Sequence, residues 1–438
     1  MSTIYLSEKK EYRALDFSKF VAAFLVAAIH IPPFEEIAPV FSHEFQQVIC
    51  RMAVPFFFVC TGYFLGEKIT DKDRVKKYLF HIIKMYVWWS LLYLIPIIDR
   101  FWEKKRSAAG NILELARRFF LIGSYIQLWY LLATVAAVLF LYLLVTRFRW
   151  NVKGIVAAAV LLYLTGVFHN TYRHVFDTVL PAANEIQWYL SVFATARNGF
   201  FFGFPFVTMG YLFRVKADRI RKSAYGWYTV FFLVLMMLEE WIITQKIGES
   251  SHDMYLMTPL VTANLFLAAA FVPVGERMGA AAKTMRELST EIFLLHMLVY
   301  FWYKKIMECM GLDAGNHLVR YMVVVTVSVL IGLILIYIRR KRSKQENYKK
   351  NIKDFFKVPQ NSEKLTFYVK PTEEFKGNLG RMSFSATHKA KINEKENEKE
   401  KEKEITLNYD VDKGNNIVNE KYQEVTLKLF SVDGKGNK

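Results

Sequence analysis

The chain has 438 residues, of which 53% are hydrophobic and 16% aromatic, and its formal net charge is +18. The apolar residues form blocks of about 20 residues that lack the polar stripe of a surface helix, which is the length a helix needs to cross the hydrocarbon core of a bilayer. This pattern excludes an ordinary soluble protein and favours helices, because backbone polar groups in lipid must be paired internally. Cys50, Cys60 and Cys309 show no CxxC or Cys/His spacing and imply neither a disulfide scaffold nor a zinc site.

The apolar blocks predict an all-α integral membrane protein with about ten transmembrane helices and a hydrophilic C-terminal tail. The predicted spans are 15–34, 49–66, 79–98, 125–145, 153–168, 190–213, 225–243, 255–274, 289–307 and 320–339. The first span is expected to be a retained helix and not a signal peptide, because it contains Lys19 and His30 and lacks a small-residue cleavage site.

Basic residues lie mainly in alternate loops, such as 68–77 and 214–222, whereas the loop 35–48 has none. The positive-inside rule then predicts a multi-pass protein of the cell membrane with both termini in the cytoplasm. The loops 35–48 and 244–254 are expected to be external. The segment 99–118 would also be external although it carries six basic residues, and it is interpreted as an amphipathic surface segment.

The composition changes near residue 340, which divides the chain into a membrane domain (1–340) and a cytoplasmic tail (341–438). The tail is rich in Lys, Glu and Asn, and residues 392–404 are almost entirely Lys and Glu. Such a run cannot bury enough apolar surface to fold by itself, so the tail is predicted to be largely disordered. The alternative is a small soluble unit with short strands near 365–369 and 425–430.

Three ionisable residues stand out in the first span. Lys19 and His30 are eleven residues apart, which places them within about 20° of the same helix face and about 16 Å apart along the axis. Asp16 is three residues before Lys19 and is expected to pair with it. Intramembrane charges favour a functional site. The structural alternatives are a core histidine bonded to a backbone carbonyl, and a lysine that snorkels to the interface.

Five segments together resemble the acyltransferase type 3 family. The segment 12–20, with Lys19, ten intervening residues and His30, resembles its first helix. The other segments follow in the family's order: 54–58 with Thr61, Gly62 and Tyr63; 128–131 around Trp129; Arg197, Asn198 and Gly199 with 204–206 and 210–211; and 289–296, which contains Glu291 and ends in His296. The resemblance covers roughly 12–340, and the tail has no counterpart in the family pattern.

The resemblance implies transfer of an acyl group, usually acetyl, from cytoplasmic acyl-coenzyme A to a hydroxyl of a glycan or small molecule, without a metal or nucleic acid. His30 would be the catalytic base or carry the acyl group covalently. Lys19, Arg197 and Asn198 would be the other catalytic residues. The donor would bind the third helix, which keeps a basic charge but lacks the arrangement of arginines that is usual in the family. The residues expected there are Arg74, Lys76, Lys77, His81 and Lys84, and those expected to line the cavity are Asp16, Thr61, Gly62, Trp129, Glu291 and His296.

Each of these assignments has a structural alternative. Basic residues on the third helix also follow from the positive-inside bias. Arg197 and Asn198 can anchor a helix end, and His296 can be a packing residue. For the whole chain, the alternatives are a transporter that uses the same intramembrane charges as a relay, and a membrane scaffold for whatever binds the tail. Consumption of acyl-coenzyme A that depends on His30 would distinguish the enzyme from both.

Overall fold

The computed structural model describes residues 5–6, 12–102, 107–173, 195–246, 253–275, 278–355, 382–392 and 401–411. Within these ranges the α-helices are α1 (Arg13–His30), α2 (Pro39–Glu44), α3 (Ala53–Gly66), α4 (Lys72–Leu92), α5 (Leu94–Trp102), α6 (Ala108–Arg117), α7 (Trp129–Tyr142), α8 (Val152–Phe168), α9 (Phe204–Val215), α10 (Tyr225–Lys246), α11 (Thr258–Phe271), α12 (Gly279–Met310) and α13 (His317–Phe355). The strands are β1 (Met382–Ile392) and β2 (Lys401–Val411).

Several helices begin where the sequence supplies a side-chain cap. The carboxylate of Asp71 accepts hydrogen bonds of 3.1 Å from the backbone N–H groups of Asp73 and Arg74 at the start of α4. Asn151 accepts from the N–H of Gly154 at 2.8 Å at the start of α8. These oxygens satisfy donors that the first helical turn leaves without partners.

The closest helix crossing joins α3 and α9 and depends on two glycines. A Cβ atom added to Gly62 would lie 1.9 Å from the carbonyl oxygen of Val207 in α9. A Cβ added to Gly210 would lie 2.0 Å from the carbonyl oxygen of Val59 in α3. The small-residue surface predicted at Thr61 and Gly62 therefore packs against another helix, as small residues commonly do in membrane proteins.

A second packing interface joins α1 to α12. The buried face of α1 is small and includes Ala22, Ala23, Ala27 and Ala28, which lets the two helices approach closely. The hydroxyl of Tyr93 donates a 2.7 Å hydrogen bond to the carbonyl of Leu294 and ties the end of α4 to α12. The site that follows lies between these packed helices.

Among the residues that the structure describes, four helical segments are long and apolar enough to cross a membrane: Pro39–Gly66, Trp129–Arg147, Tyr225–Lys246 and His317–Asn347. A fifth is obtained if α4 and α5, which meet at 58°, are counted as one bent span. Each of the ten predicted windows contains a helix, but ten transmembrane helices are not confirmed. One reason is that helix α1 carries the charged residues Arg13, Asp16 and Lys19. Another is that three further apolar helices have only 10–17 residues, so each is at most about 26 Å long.

The chain divides into two compact units, Met1–Tyr337 and Ile338–Lys438. In the second unit β1 and β2 form an antiparallel hairpin that pairs Met382 with Val411 and Ile392 with Lys401. The sequence prediction missed this hairpin, although residues 405–411 alternate apolar and polar as a strand does. The expected strands near 365–369 and 425–430 lie outside the described residues, and the assignment of the two units as enzyme and tail stays a prediction.

The orientation in the membrane is a prediction that the native cysteines can test. Cys309 is exposed, whereas Cys50 and Cys60 are buried. Because the positive-inside rule places the loop after the ninth predicted span outside, a membrane-impermeant maleimide added to intact cells is expected to label Cys309. In a Cys309→Ser background, Lys216→Cys should be labelled only after permeabilisation. Labelling of Lys216→Cys in intact cells would reverse the topology.

Candidate active site

A cavity of about 30 Å³ lies at the end of α1 and is called the His30 cavity. Its polar lining consists of His30, Arg51, Gln127, Arg197 and Asp253, and its aromatic lining of Trp129, Phe202 and Phe293. These residues come from segments that are far apart in the chain. The cavity therefore unites the predicted His30, Trp129 and Arg197 with three polar residues that the sequence did not single out.

His30 is fixed by the way α1 ends. Pro32 and Pro33 have no N–H, so the last carbonyls of the helix lack their usual intrahelical donors. The side-chain amide of Gln46 donates instead to the carbonyl of Ile29 at 2.7 Å. The two prolines thus make His30 the last helical residue, four residues before the end of the predicted span 15–34.

A second histidine supports the first. The rings of His30 and His296 are stacked, with centroids 5.5 Å apart and planes inclined by 20°. The Nδ1 of His296 lies 3.0 Å from the carbonyl of Ile292, and because a carbonyl can only accept, Nδ1 carries the proton. His296 is fully buried. It holds the His30 ring and does not itself line the cavity.

Opposite His30, two arginines share one carboxylate. Asp253 Oδ1 accepts from Arg51 Nη1 at 2.6 Å and from Arg197 Nη1 at 2.7 Å. Arg51 also donates to the side-chain oxygen of Gln47 at 2.7 Å. The guanidinium of Arg197 lies 5.0 Å from the ring centroid of Trp129, in a cation–π contact.

The structure gives Asn198 a local role. Its side-chain oxygen accepts from the N–H groups of Phe200 and Phe201 at 2.9 and 3.2 Å, at the helical turn Gly199–Gly203. This is the anchoring alternative for the Arg197–Asn198 pair, and Asn198 is not among the residues that line the His30 cavity. Its predicted catalytic role has no geometric support from that cavity.

Lys19 and Asp16 belong to a different place. They line a larger cavity of about 340 Å³, the Lys19 cavity, near the beginning of α1. Asp16 contacts Lys19 at 3.4 Å, the predicted pair, and Arg286 at 3.3 Å. The Lys19 ammonium also lies 4.5 Å from the ring centroid of Phe64. Lys19 and His30 therefore share a helix but not a cavity.

The basic residues predicted to bind the donor lie on the outer face of α4. Arg74, Lys76, Lys77, His81 and Lys84 are all exposed. The buried face of α4 consists instead of Val75, Ile82, Tyr86 and Trp89 with Ser90. The described structure does not bring the basic residues to the His30 cavity, and their role in donor binding stays a prediction.

A third cavity of about 140 Å³ lies between α4, α7 and α12 and is called the tyrosine cavity. Tyr78, Tyr130 and Phe293 line it, and Phe293 also lines the His30 cavity. The hydroxyl of Thr61 is close to Tyr78 and Tyr130. Glu291 is buried against Gly332 of α13 and lines neither of these two cavities.

The site residues that were not predicted differ in how clearly the sequence signals them. Arg51 is a charged residue at the start of an apolar block, which is a signal for an intramembrane site. Asp253 had no such signal, because it lies in a polar loop and its partner Arg51 is 202 positions away. No group of three or more His, Cys, Asp or Glu side chains within the described ranges has a geometry suited to a metal ion.

A family model for an acyltransferase domain matches residues 12–338. The chain belongs to the acyltransferase type 3 family. This match confirms the resemblance drawn from the five sequence segments. It also confirms the prediction of a membrane protein that is related to acyltransferases. No solved structure matches this acyltransferase family member.

Curated relatives of this family member carry other names. Two proteins named amino-acid racemase, both from Enterococcus faecalis, are 27% and 24% identical over 76% and 75% of the chain. A protein named serine/alanine racemase, from Enterococcus gallinarum, is 26% identical over 79% of the chain. The matches cover 46–49% of the relatives, so the chain spans about half the length of the curated relatives it matches.

Proposed function

We propose that the protein transfers an acetyl group from acyl-coenzyme A to a hydroxyl of a cell-envelope glycan or a related small molecule. The observation that carries this proposal is the His30 cavity, where a histidine and two arginines from distant segments meet in a chain of an acyltransferase family. The donor is proposed to come from the cytoplasmic side, in keeping with the predicted orientation.

The cavity supplies the groups that acyl transfer needs. His30 accepts the proton of the acceptor hydroxyl while the oxygen bonds to the thioester carbonyl carbon. The carbon–sulfur bond then breaks, and coenzyme A leaves as a thiolate that takes up the proton. Arg197, held by Asp253 and Trp129, is a fixed cation beside His30 that holds the acceptor or the thioester carbonyl.

The Lys19 cavity supports a donor site on the same helix. It brings Arg13, Lys19 and Arg286 together with one carboxylate, Asp16, and this excess of cations suits the phosphates of coenzyme A. It is about three helical turns from His30, or about 16 Å. We place the phosphates of the donor at this end of α1 and the thioester at the other.

Substitutions of Lys19 test this arrangement. Lys19→Ala is expected to raise KM for acetyl-coenzyme A by about 10-fold, since hydrogen bonds to charged groups contribute roughly 1.5–3 kcal/mol. Lys19→Arg keeps the charge and should be milder. The measurement is initial rate against donor concentration with purified protein. A KM unchanged in Lys19→Ala would remove the lysine from the donor site.

The proposed function is tested by mass spectrometry of envelope glycans from cells with and without the protein. The expected result is a loss of acetyl groups that is restored by the wild-type chain and not by His30→Ala. Release of free coenzyme A by the purified protein is measured in parallel. Identical glycans, with coenzyme A release that does not depend on His30, would overturn the proposal.

A second candidate function is transport of an amino acid, and it is favoured by the names of the relatives, which refer to amino-acid racemases. The intramembrane charges of the His30 cavity would then bind the transported molecule. Uptake of labelled amino acid into vesicles without acyl-coenzyme A would support this candidate. Absence of uptake, together with acetyl transfer, would exclude it.

A further inference from the structure

The two arginines of the His30 cavity retain unused hydrogen-bond donors. The Nε of Arg51 and the Nε of Arg197 are both buried, and neither has a hydrogen-bond partner within the described part of the chain. Gln127, which is 1% exposed, also lines the cavity, and its amide nitrogen and oxygen lack partners there too. Buried polar groups are nearly always satisfied, so a cluster of such donors indicates a bound group.

The charge of the cluster indicates the sign of that group. Arg51 and Arg197 carry two positive charges, and the carboxylate that both contact is that of Asp253. The three side chains are only 14%, 25% and 13% exposed, so water screens the remaining positive charge weakly. An anionic group of one negative charge would neutralise the cluster.

The size of the cavity favours a small anionic group. A volume of about 30 Å³ holds about two water-sized groups, since one such group needs roughly 10–15 Å³. A carboxylate presents two oxygens of that size, whereas a phosphate monoester presents three. Guanidinium groups hydrogen-bond strongly to carboxylates, and the Nε groups of Arg51 and Arg197 supply one donor for each carboxylate oxygen.

We propose that the acceptor of acyl transfer carries a carboxylate, and that Arg51 and Arg197 bind this carboxylate while His30 faces the hydroxyl. This inference rests on the proposed function, but it concerns binding and can be measured without the donor. The acceptor is then a sugar acid or a small hydroxy acid. An uncharged sugar or alcohol would accept these hydrogen bonds through its hydroxyl oxygens but would leave the positive charge of the cluster unbalanced.

The first experiment compares binding of matched pairs to the full chain in detergent. Titration calorimetry is carried out with galacturonate and galactose, with glycerate and glycerol, and with glycerol 3-phosphate. The carboxylate is expected to lower Kd by about 10–100-fold in at least one pair, since hydrogen bonds to charged groups have roughly that effect. The pair that shows the difference identifies a sugar acid or a hydroxy acid as the source.

Variants then assign the effect to the arginines. Arg51→Gln and Arg197→Gln should each remove the preference for the carboxylate. Arg51→Lys should lower the preference, because lysine keeps the charge but lacks the planar guanidinium and its Nε–H donor. Asp253→Asn removes the competing carboxylate and should strengthen binding. Arg118→Gln is the control, because Arg118 also pairs with one acid, Glu114, at 2.8 Å, outside the cavity.

Three results would overturn the inference: equal Kd values within both pairs, a preference unchanged in both arginine-to-glutamine variants, or tighter binding of glycerol 3-phosphate than of either carboxylate. If the glutamine variants fail to fold, the test uses the carboxylate preference of Arg51→Lys and the binding affinity of Asp253→Asn instead. Selective binding of a carboxylate without acetyl transfer would leave the carboxylate site in place and would contradict the proposed function instead.

Discussion

Replacing His30 with alanine is expected to slow acetyl transfer by about 10²–10⁴-fold, the usual contribution of a general base. The substitution removes the proposed proton acceptor of the His30 cavity and leaves the arginines in place. Membrane insertion should not suffer, because removal of a polar side chain from an apolar helix makes insertion easier. The measurement is turnover of purified protein at saturating acetyl-coenzyme A.

Two further variants separate chemistry from structure. His30→Gln keeps hydrogen-bonding capacity but cannot accept the proton, so it should be nearly as slow as His30→Ala. His169→Ala is the control, because His169 directly follows a helix as well, with its Nδ1 2.7 Å from the carbonyl of Thr165 in α8, and it lies outside the His30 cavity. Turnover of His30→Ala near that of the wild type would leave His30 with a packing role only.

Gly62→Ala is expected to destabilise the protein by more than most single substitutions do. The added methyl group would lie 1.9 Å from a backbone carbonyl of α9, so the helices must separate. Overpacking of this kind costs roughly 1–3 kcal/mol and occasionally more. The expected result is a lower yield of monodisperse protein and a lower Tm in detergent.

Gly226→Ala supplies the comparison within the same protein. An added Cβ at Gly226 would have no atom within 4 Å, and alanine has the higher helix propensity. This variant should match or slightly exceed the wild-type Tm. Equal Tm values for Gly62→Ala and Gly226→Ala would contradict the close contact between α3 and α9.

The sequence predicted the parts of the site that depend on local pattern. The apolar blocks placed the first helix over 15–34, and the structure ends it at His30, before the two prolines. Trp129 and Arg197 were recognised because they lie in segments that resemble a known family. The ion pair of Asp16 and Lys19 followed from their spacing on one helix, and the structure places them 3.4 Å apart.

The predictions that the structure does not confirm, and the residues that were not predicted, depend on which helices become neighbours. Lys77 and Lys84 look suited to a donor site in sequence, but the side of α4 that packs inward is set by its apolar residues, and both lysines are exposed. Asp253 could not be assigned to the site, because no local pattern specifies contacts with Arg51 and Arg197. Hydropathy alone was also not enough to establish the number of membrane crossings, because several apolar helices are short.

The shared carboxylate has a consequence for biosynthesis. Arg51 lies 202 residues before Asp253 in the chain, and Arg197 lies 56 residues before it. At a translation rate of about 5–20 residues per second, Arg51 is made roughly 10–40 s before its counter-ion exists. A lone arginine at the centre of a membrane helix costs about 2.5–3.5 kcal/mol on insertion scales, which is an upper bound for Arg51 near the end of its span. The nascent helix must therefore tolerate that cost for tens of seconds, until synthesis of the loop after α10 supplies Asp253.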